Sequence, residues 1–110
     1  MAKFVLQGTF TGETVAEIID HPGDRVAAVG RAMEAVGGTL DQIYLVFGAY
    51  DFLIIFEAPD SVSAAGASLA VSGTGAFGHV ETHELIAPDE VGSVLQKAKS
   101  ARGTYQPPST

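Results

Sequence analysis

QIYLVFGAYDFLIIF, residues 42–56, holds two apolar runs joined through Gly48, Ala49, Tyr50 and Asp51. The pattern predicts two strands, from about Leu40 to Phe47 and from about Asp51 to Glu57. The second run, Phe52 to Phe56, is apolar at every position, which asks for burial on both faces of a sheet. Tyr50 and Asp51 sit at the mouth of the connection, where a sheet of this kind could hold a ligand.

Upstream, Lys3 to Phe10 alternates and reads as a first strand. Thr11 offers an N-cap oxygen, and Glu13 and Glu17 suit the positive end of a helix from about Gly12 to Asp20. His21-Pro22-Gly23 breaks that helix. Asp24 can cap a second one, in which Val26, Val29, Met33 and Val36 form an apolar stripe ended by Gly37-Gly38. Downstream, Pro59-Asp60-Ser61 opens a helix to about Val71, with Val62, Ala65 and Leu69 as the stripe expected to pack. Ser72-Gly73-Thr74-Gly75 stops it, and Phe77 to Ile86 reads as a fourth strand. Pro88, with Asp89 and Glu90, opens a last helix striped by Val91, Leu95 and Ala98, with Lys97 and Lys99 toward its negative end. Residues 102–110 form a tail, extended around Pro107-Pro108.

The order β-α-β-β-α-β plus a terminal helix predicts an α+β fold of ferredoxin-like topology, one domain over residues 1–101. The antiparallel sheet carries its helices on one face, with strands one and three central. FLIIF is the most apolar strand, as a central strand should be. It is apolar at both parities, however: Phe52, Ile54 and Phe56 one way, Leu53 and Ile55 the other. The face without helices would then exceed the roughly 300–600 Å² of apolar patch usual on a monomer. The terminal helix could cover part of it, but its stripe is narrow. A second copy of the sheet is the preferred cover, giving a homodimer or higher homo-oligomer.

Composition narrows the function. The chain has 110 residues, 46% hydrophobic and 17% charged, and no cysteine. It can bury a core without staples, and it has neither a disulfide framework nor a thiol nucleophile. Thirteen acidic against six basic residues give a net charge of −7, a surface that repels phosphate backbones and anionic lipid. Neither nucleic acid nor membrane is an expected partner. MAKFVLQGTF lacks the pattern of a signal peptide, and no window holds the roughly 18 apolar residues of a spanning helix. A soluble, cytoplasmic protein is expected.

Gly48-Ala49-Tyr50-Asp51, between two apolar strands, resembles the Gly-x-Tyr-Asp signature of the GYD-domain family. The opening KFVLQGTFT, the helix ending in Gly37-Gly38 and the closing Tyr105-Gln106-Pro107-Pro108 are also similar, so the resemblance covers nearly the whole chain. It implies a relative of the dimeric α+β barrels, in which two ferredoxin-like sheets face one another around a cleft. It implies no particular chemistry, because related barrels include oxygenases, isomerases and plain binding modules.

Two constellations could carry chemistry. In the first, the Tyr50 hydroxyl orients a substrate while Asp51 acts as base or acceptor. The same residues also suit turn chemistry, with Asp51 accepting backbone N–H groups and Tyr50 packing its ring. In the second, His79, Glu81 and His83 alternate on strand four and so share one face. An adjacent pair, about 6.5–7 Å apart, could converge on a divalent metal; the outer pair is twice as far apart and poorly placed to share an ion. A solvated edge-strand face is the commoner use of such a pattern. A third use is a histidine acting as acid, base or anchor, since imidazole as a residue type titrates near neutral pH. Tyr44, Gln42, Gln7 and Lys3 would join that face if it looks toward a partner sheet.

Other arrangements are absent. No phosphate loop follows from the glycines at 73, 75 and 78, no nucleophile elbow occurs, and no cofactor is expected. The sequence supports a small-molecule binding protein or cofactor-free enzyme, with a cleft lined by Phe52, Phe56 and Tyr44 and anchored by Tyr50, Asp51, His79 and His83. The alternatives are a non-enzymatic assembly module and a divalent-metal site at His79, Glu81 and His83.

Overall fold

The computed structural model describes residues 1–108; Ser109 and Thr110, the end of the expected tail, lie outside the described residues. The elements are β1 (Ala2–Phe10), α1 (Gly12–Asp20), α2 (Arg25–Ala35), β2 (Thr39–Leu45), β3 (Phe52–Ala58), α3 (Ser61–Ser72), β4 (Phe77–Leu85), a 3₁₀ turn (Pro88–Glu90) and α4 (Val91–Arg102). The strands form one antiparallel sheet in the order β2-β3-β1-β4. The ferredoxin-like arrangement expected from the sequence is the one observed, with β1 and β3 central.

The helix starts follow from side-chain oxygens that take otherwise unpaired N–H groups. Thr11 accepts from Thr14 N at 3.3 Å, Asp24 from Ala27 N at 3.0 Å and Asp60 from Ser63 N at 2.8 Å. The bonds from Ser63 also hold the Asp60 carboxyl below its ordinary pKa. Gly37 ends α2 at φ +82, a conformation that a side chain would strain.

The core lies between the sheet and the helices. Phe4, Leu6, Phe52, Ile54, Phe56 and Ala58 point one way from the central strands and meet Met33 of α2 and Ala64 and Ala67 of α3. Phe4 stacks on Phe56 at 5.5 Å, and Phe10, Phe52 and Phe77 form a second aromatic group with centroids 5.1–5.7 Å apart.

Three expectations are corrected. In α3 the face toward the sheet is Ala64 and Ala67, not the stripe of Val62, Ala65 and Leu69; Val62 and Leu69 are 83% and 71% exposed. Alanines fit against the sheet because they let the helix axis come close, so the larger aliphatics turn outward. Second, α4 has no buried residue, and the element that packs most closely on it is the adjoining 88–90 turn and not the sheet. The molecule is consequently long, 57 × 33 × 23 Å with a radius of gyration of 17.5 Å, against about 13 Å for a compact chain of this size. Third, β2 stops at Leu45 and leaves Phe47 fully exposed, because Val46 N already bonds Asp51 O at 2.8 Å to close the connection.

Candidate functional site

The strand registers lay out the open face as cross-strand rows. One row is Tyr44, Leu53, Gln7 and Glu81; the next is Gln42, Ile55, Val5 and His83; a third is Thr39, Glu57, Lys3 and Leu85. Leu53, Ile55 and Val5 make an apolar centre, only half-buried within the protomer. Polar side chains ring that centre on both sides.

The strand-four residues converge on one carboxylate. His79 Nε2 lies 2.8 Å from Glu81 Oε2, and His83 Nε2 lies 3.1 Å from Glu81 Oε1. Tyr50, arriving from the β2–β3 connection, donates its hydroxyl to the same Oε2 at 2.6 Å. Glu81 therefore receives three side-chain hydrogen bonds. They hold its pKa at about 2, the Tyr50 bond contributing most and the histidines following. The same bond and the nearby negative charge raise the Tyr50 hydroxyl above its ordinary value. Glu81 is thus an ionised acceptor at neutral pH and too weak a base to take protons itself.

Asp51 has a different post. Its Oδ2 accepts from Phe10 N at 2.9 Å, and its own N–H donates to Gly8 O at 2.8 Å. The β1–β4 register shifts between Thr9 and Phe10. That shift removes Phe10 N–H from the ladder, and Asp51 satisfies it. Gly8 stands at the same crossing because the chains nearly touch: a Cβ there would come within 2.0 Å of His79 O. Asp51 and Gly8 set the angle at which the Tyr50 loop meets β4.

The structure thus unites Tyr50 with His79, Glu81 and His83 and separates three others from them. Tyr44 shares the face and the Glu81 row, but it stands three strands away, about 14 Å at the usual strand spacing, with its hydroxyl on Gln42. Phe52 and Phe56 point to the helix side, 4% and 0% exposed, so they cannot line a cleft anchored by His83. The expected mixture of Phe52, Phe56 and His83 in one pocket fails for that reason of parity. Among the described residues no group of three or more His, Asp or Glu is placed to hold a metal ion, and both histidines already spend a ring nitrogen on Glu81. The Tyr50–Glu81 contact, spanning 31 positions in the chain, left no trace in local sequence; only the register of β1 on β4 reveals it.

Two cavities lie away from this cluster. An apolar one of about 230 Å³ opens between α2, β2 and the Phe10, Phe52 and Phe77 rings. A groove of about 520 Å³ runs between α3 and β4. No helix among the described residues is long and apolar enough to cross a membrane.

The family model of the GYD domain matches residues 4–95 of the chain. No curated protein matches it. Among solved structures, one described as "crystal structure of FFRP-DM1" is similar over 78% of this chain and 100% of that chain, with 12% identity and a TM-score of 0.53. At that identity the likeness concerns the fold.

Proposed function

The chain belongs to the GYD-domain family, and we propose that it binds a small molecule on the open face of its sheet, in a cleft closed by the same face of a second copy. One observation carries this reading: a tyrosine and two histidines, all bonded to one ionised carboxylate, border a half-buried apolar centre. Glu81 accepts from the Nε2 side of each ring. In the neutral imidazole this fixes the proton on Nε2 and leaves Nδ1 as the lone-pair nitrogen. The side chains of His79 and His83 are 58% and 54% exposed, so a ligand can reach them. The arrangement suits a small, largely apolar molecule bearing a hydroxyl or enol, whose proton a histidine can accept while Glu81 stabilises the resulting imidazolium. The absence of cysteine is compatible with work in a reducing cytoplasm.

Thermal-shift screening of a metabolite collection tests this, on wild type, Glu81→Gln and His83→Ala. A ligand at a hundred times its Kd stabilises by about 2.7 kcal/mol, which raises Tm by several degrees for a chain of this size. A hit lost in both variants supports the site. The protomer offers no enclosed space beside Tyr50 and His83 among the cavities described, which favours a second reading, an assembly module without ligand. In that case no compound shifts Tm and the variants alter only association.

A further inference from the structure

Two apolar stripes of this chain face solvent in the protomer. One is Val62, Ala65 and Leu69 on the outer side of α3; the other is Val91, Val94, Leu95 and Ala98 on α4, whose Leu95 is 62% exposed. Both helices have 12 residues, about 18 Å each. They differ in charge. Lys97, Lys99 and Arg102 are half of the six basic residues, while all thirteen acidic residues precede Val91. On a helical wheel Lys97 and Lys99 flank the α4 stripe on opposite sides, and Arg102 closes it at the C-terminal end.

Beside the α3 stripe lies the groove of about 520 Å³, with Phe4 as its floor, Ala65, Ser68 and Leu69 along one wall, and Thr82 and Glu84 along the other. Its acidic end is at the α3 N-terminus, where Asp60 caps the helix and Ser61 Oγ donates to Glu84 Oε1 at 3.0 Å. The other end carries no charge among its lining residues.

We propose that α4 is a docking arm whose apolar stripe seats in the α3–β4 groove of a second copy, antiparallel to α3. Antiparallel docking brings Lys97, Lys99 and Arg102 to Asp60 and Glu84 and opposes the two helix dipoles favourably. The chain's own α4 cannot do this. α3 runs antiparallel to β4, as the Ser61–Glu84 and Ser68–Thr82 bonds show, and α4 departs from the Glu84 end. Folded back into its own groove it would lie parallel to α3, with its basic end at the uncharged end. The acidic end selects another molecule's arm. This interface is separate from the open sheet face and does not depend on any ligand there.

The protein has no cysteine, so single-cysteine variants of the full chain report the pairing. Antiparallel docking places Ala98 beside Val62 and Val91 beside Leu69. Mixing Val62→Cys with Ala98→Cys chains under mild oxidation is expected to give a disulfide-linked pair, and mixing Val62→Cys with Val91→Cys is not. The reverse pattern, no cross-link in either mixture, or a link only within one chain of the double variant overturns the proposal. Leu95→Asp changes no buried residue; it is expected to keep the circular dichroism spectrum and raise the dissociation constant at least tenfold by sedimentation. Unchanged association in that variant also overturns it. Ile55→Asp, on the sheet face, leaves the Val62–Ala98 cross-link intact, so failure of the sheet-face reading is told apart from failure of this one.

Discussion

The two faces of the sheet are built from the same strands and do opposite work. Toward the helices, β1 and β3 present Phe4, Leu6, Phe52, Ile54 and Phe56, every one buried. Away from them, the alternate positions present Val5, Leu53 and Ile55 within a ring of Gln7, Gln42, Tyr44, Glu81 and His83. The closed face stabilises the protomer by removing apolar area from water. The open face keeps part of that area available and surrounds it with groups that form directional bonds. What separates the two is the edge strands. β2 and β4 add Leu40, Ile43 and Val80 on one side and the polar rows on the other.

Substitution should expose that difference most where burial is complete. Phe56→Ala is expected to lower the unfolding free energy by about 3–5 kcal/mol, the cost of a fully buried aromatic in a packed core. Ile55→Ala, next in the chain but on the open face, should cost about 1 kcal/mol, a fraction of the 1.5–3 kcal/mol transfer value of a fully buried aliphatic. Urea unfolding at low protein concentration, where association does not contribute, measures both. Equal losses would mean that the open face is already closed within the protomer.

A smaller contrast lies inside the connection that begins the site. Asp51→Ala leaves the part-buried Phe10 N–H without its acceptor and should cost about 1–3 kcal/mol, with Asp51→Asn costing less because an oxygen remains. Tyr50→Phe removes a bond made above the sheet and should change stability much less. Its effect belongs to Glu81, whose pKa should climb from about 2 toward the ordinary 4.5 because the largest cause of the shift is gone. Carboxyl NMR titration reads this directly. A Glu81 that stays near 2 in Tyr50→Phe would assign the shift to the histidines.

Much of this was legible in the sequence. Cap residues, glycine stops and the all-apolar FLIIF run give the element order and the central strands, since those signals act over a few residues. Alternation also places His79, Glu81 and His83 on one face. It does not say which face, because both parities of β4 mix polar and apolar residues. The tie breaks only through register: Leu6 opposite Thr82 and Gln7 opposite Glu81. Likewise Asp51 reads as a turn residue, but its acceptor oxygen serves a strand 41 positions away. The α3 stripe misled because hydrophobicity ranks Val62 and Leu69 above Ala64 and Ala67, whereas close packing on a sheet selects for size.

The pH dependence of stability should show the site as a pair of limbs, the smallest of these effects. Glu81 has its folded pKa depressed, from 4.5 to about 2. Its contribution is therefore present above about pH 4.5 and is lost as pH falls through about 2. Tyr50 has its folded pKa raised above 10.0, so the neutral hydroxyl is the form that folding favours. Its contribution is complete below pH 10 and disappears as pH rises through the raised value, when the phenol loses its proton and the resulting phenolate repels Glu81. Glu81→Gln should shrink the acid limb to what Asp60 contributes and weaken the alkaline limb, whose main cause is Glu81; Tyr50→Phe should erase the alkaline limb and shrink the acid one. Chemical denaturation at closely spaced pH values separates the cases. The buried core of the closed face holds no titratable side chain and so contributes to neither limb. A limb undiminished in both variants would place the responsible group outside the Tyr50–Glu81 pair.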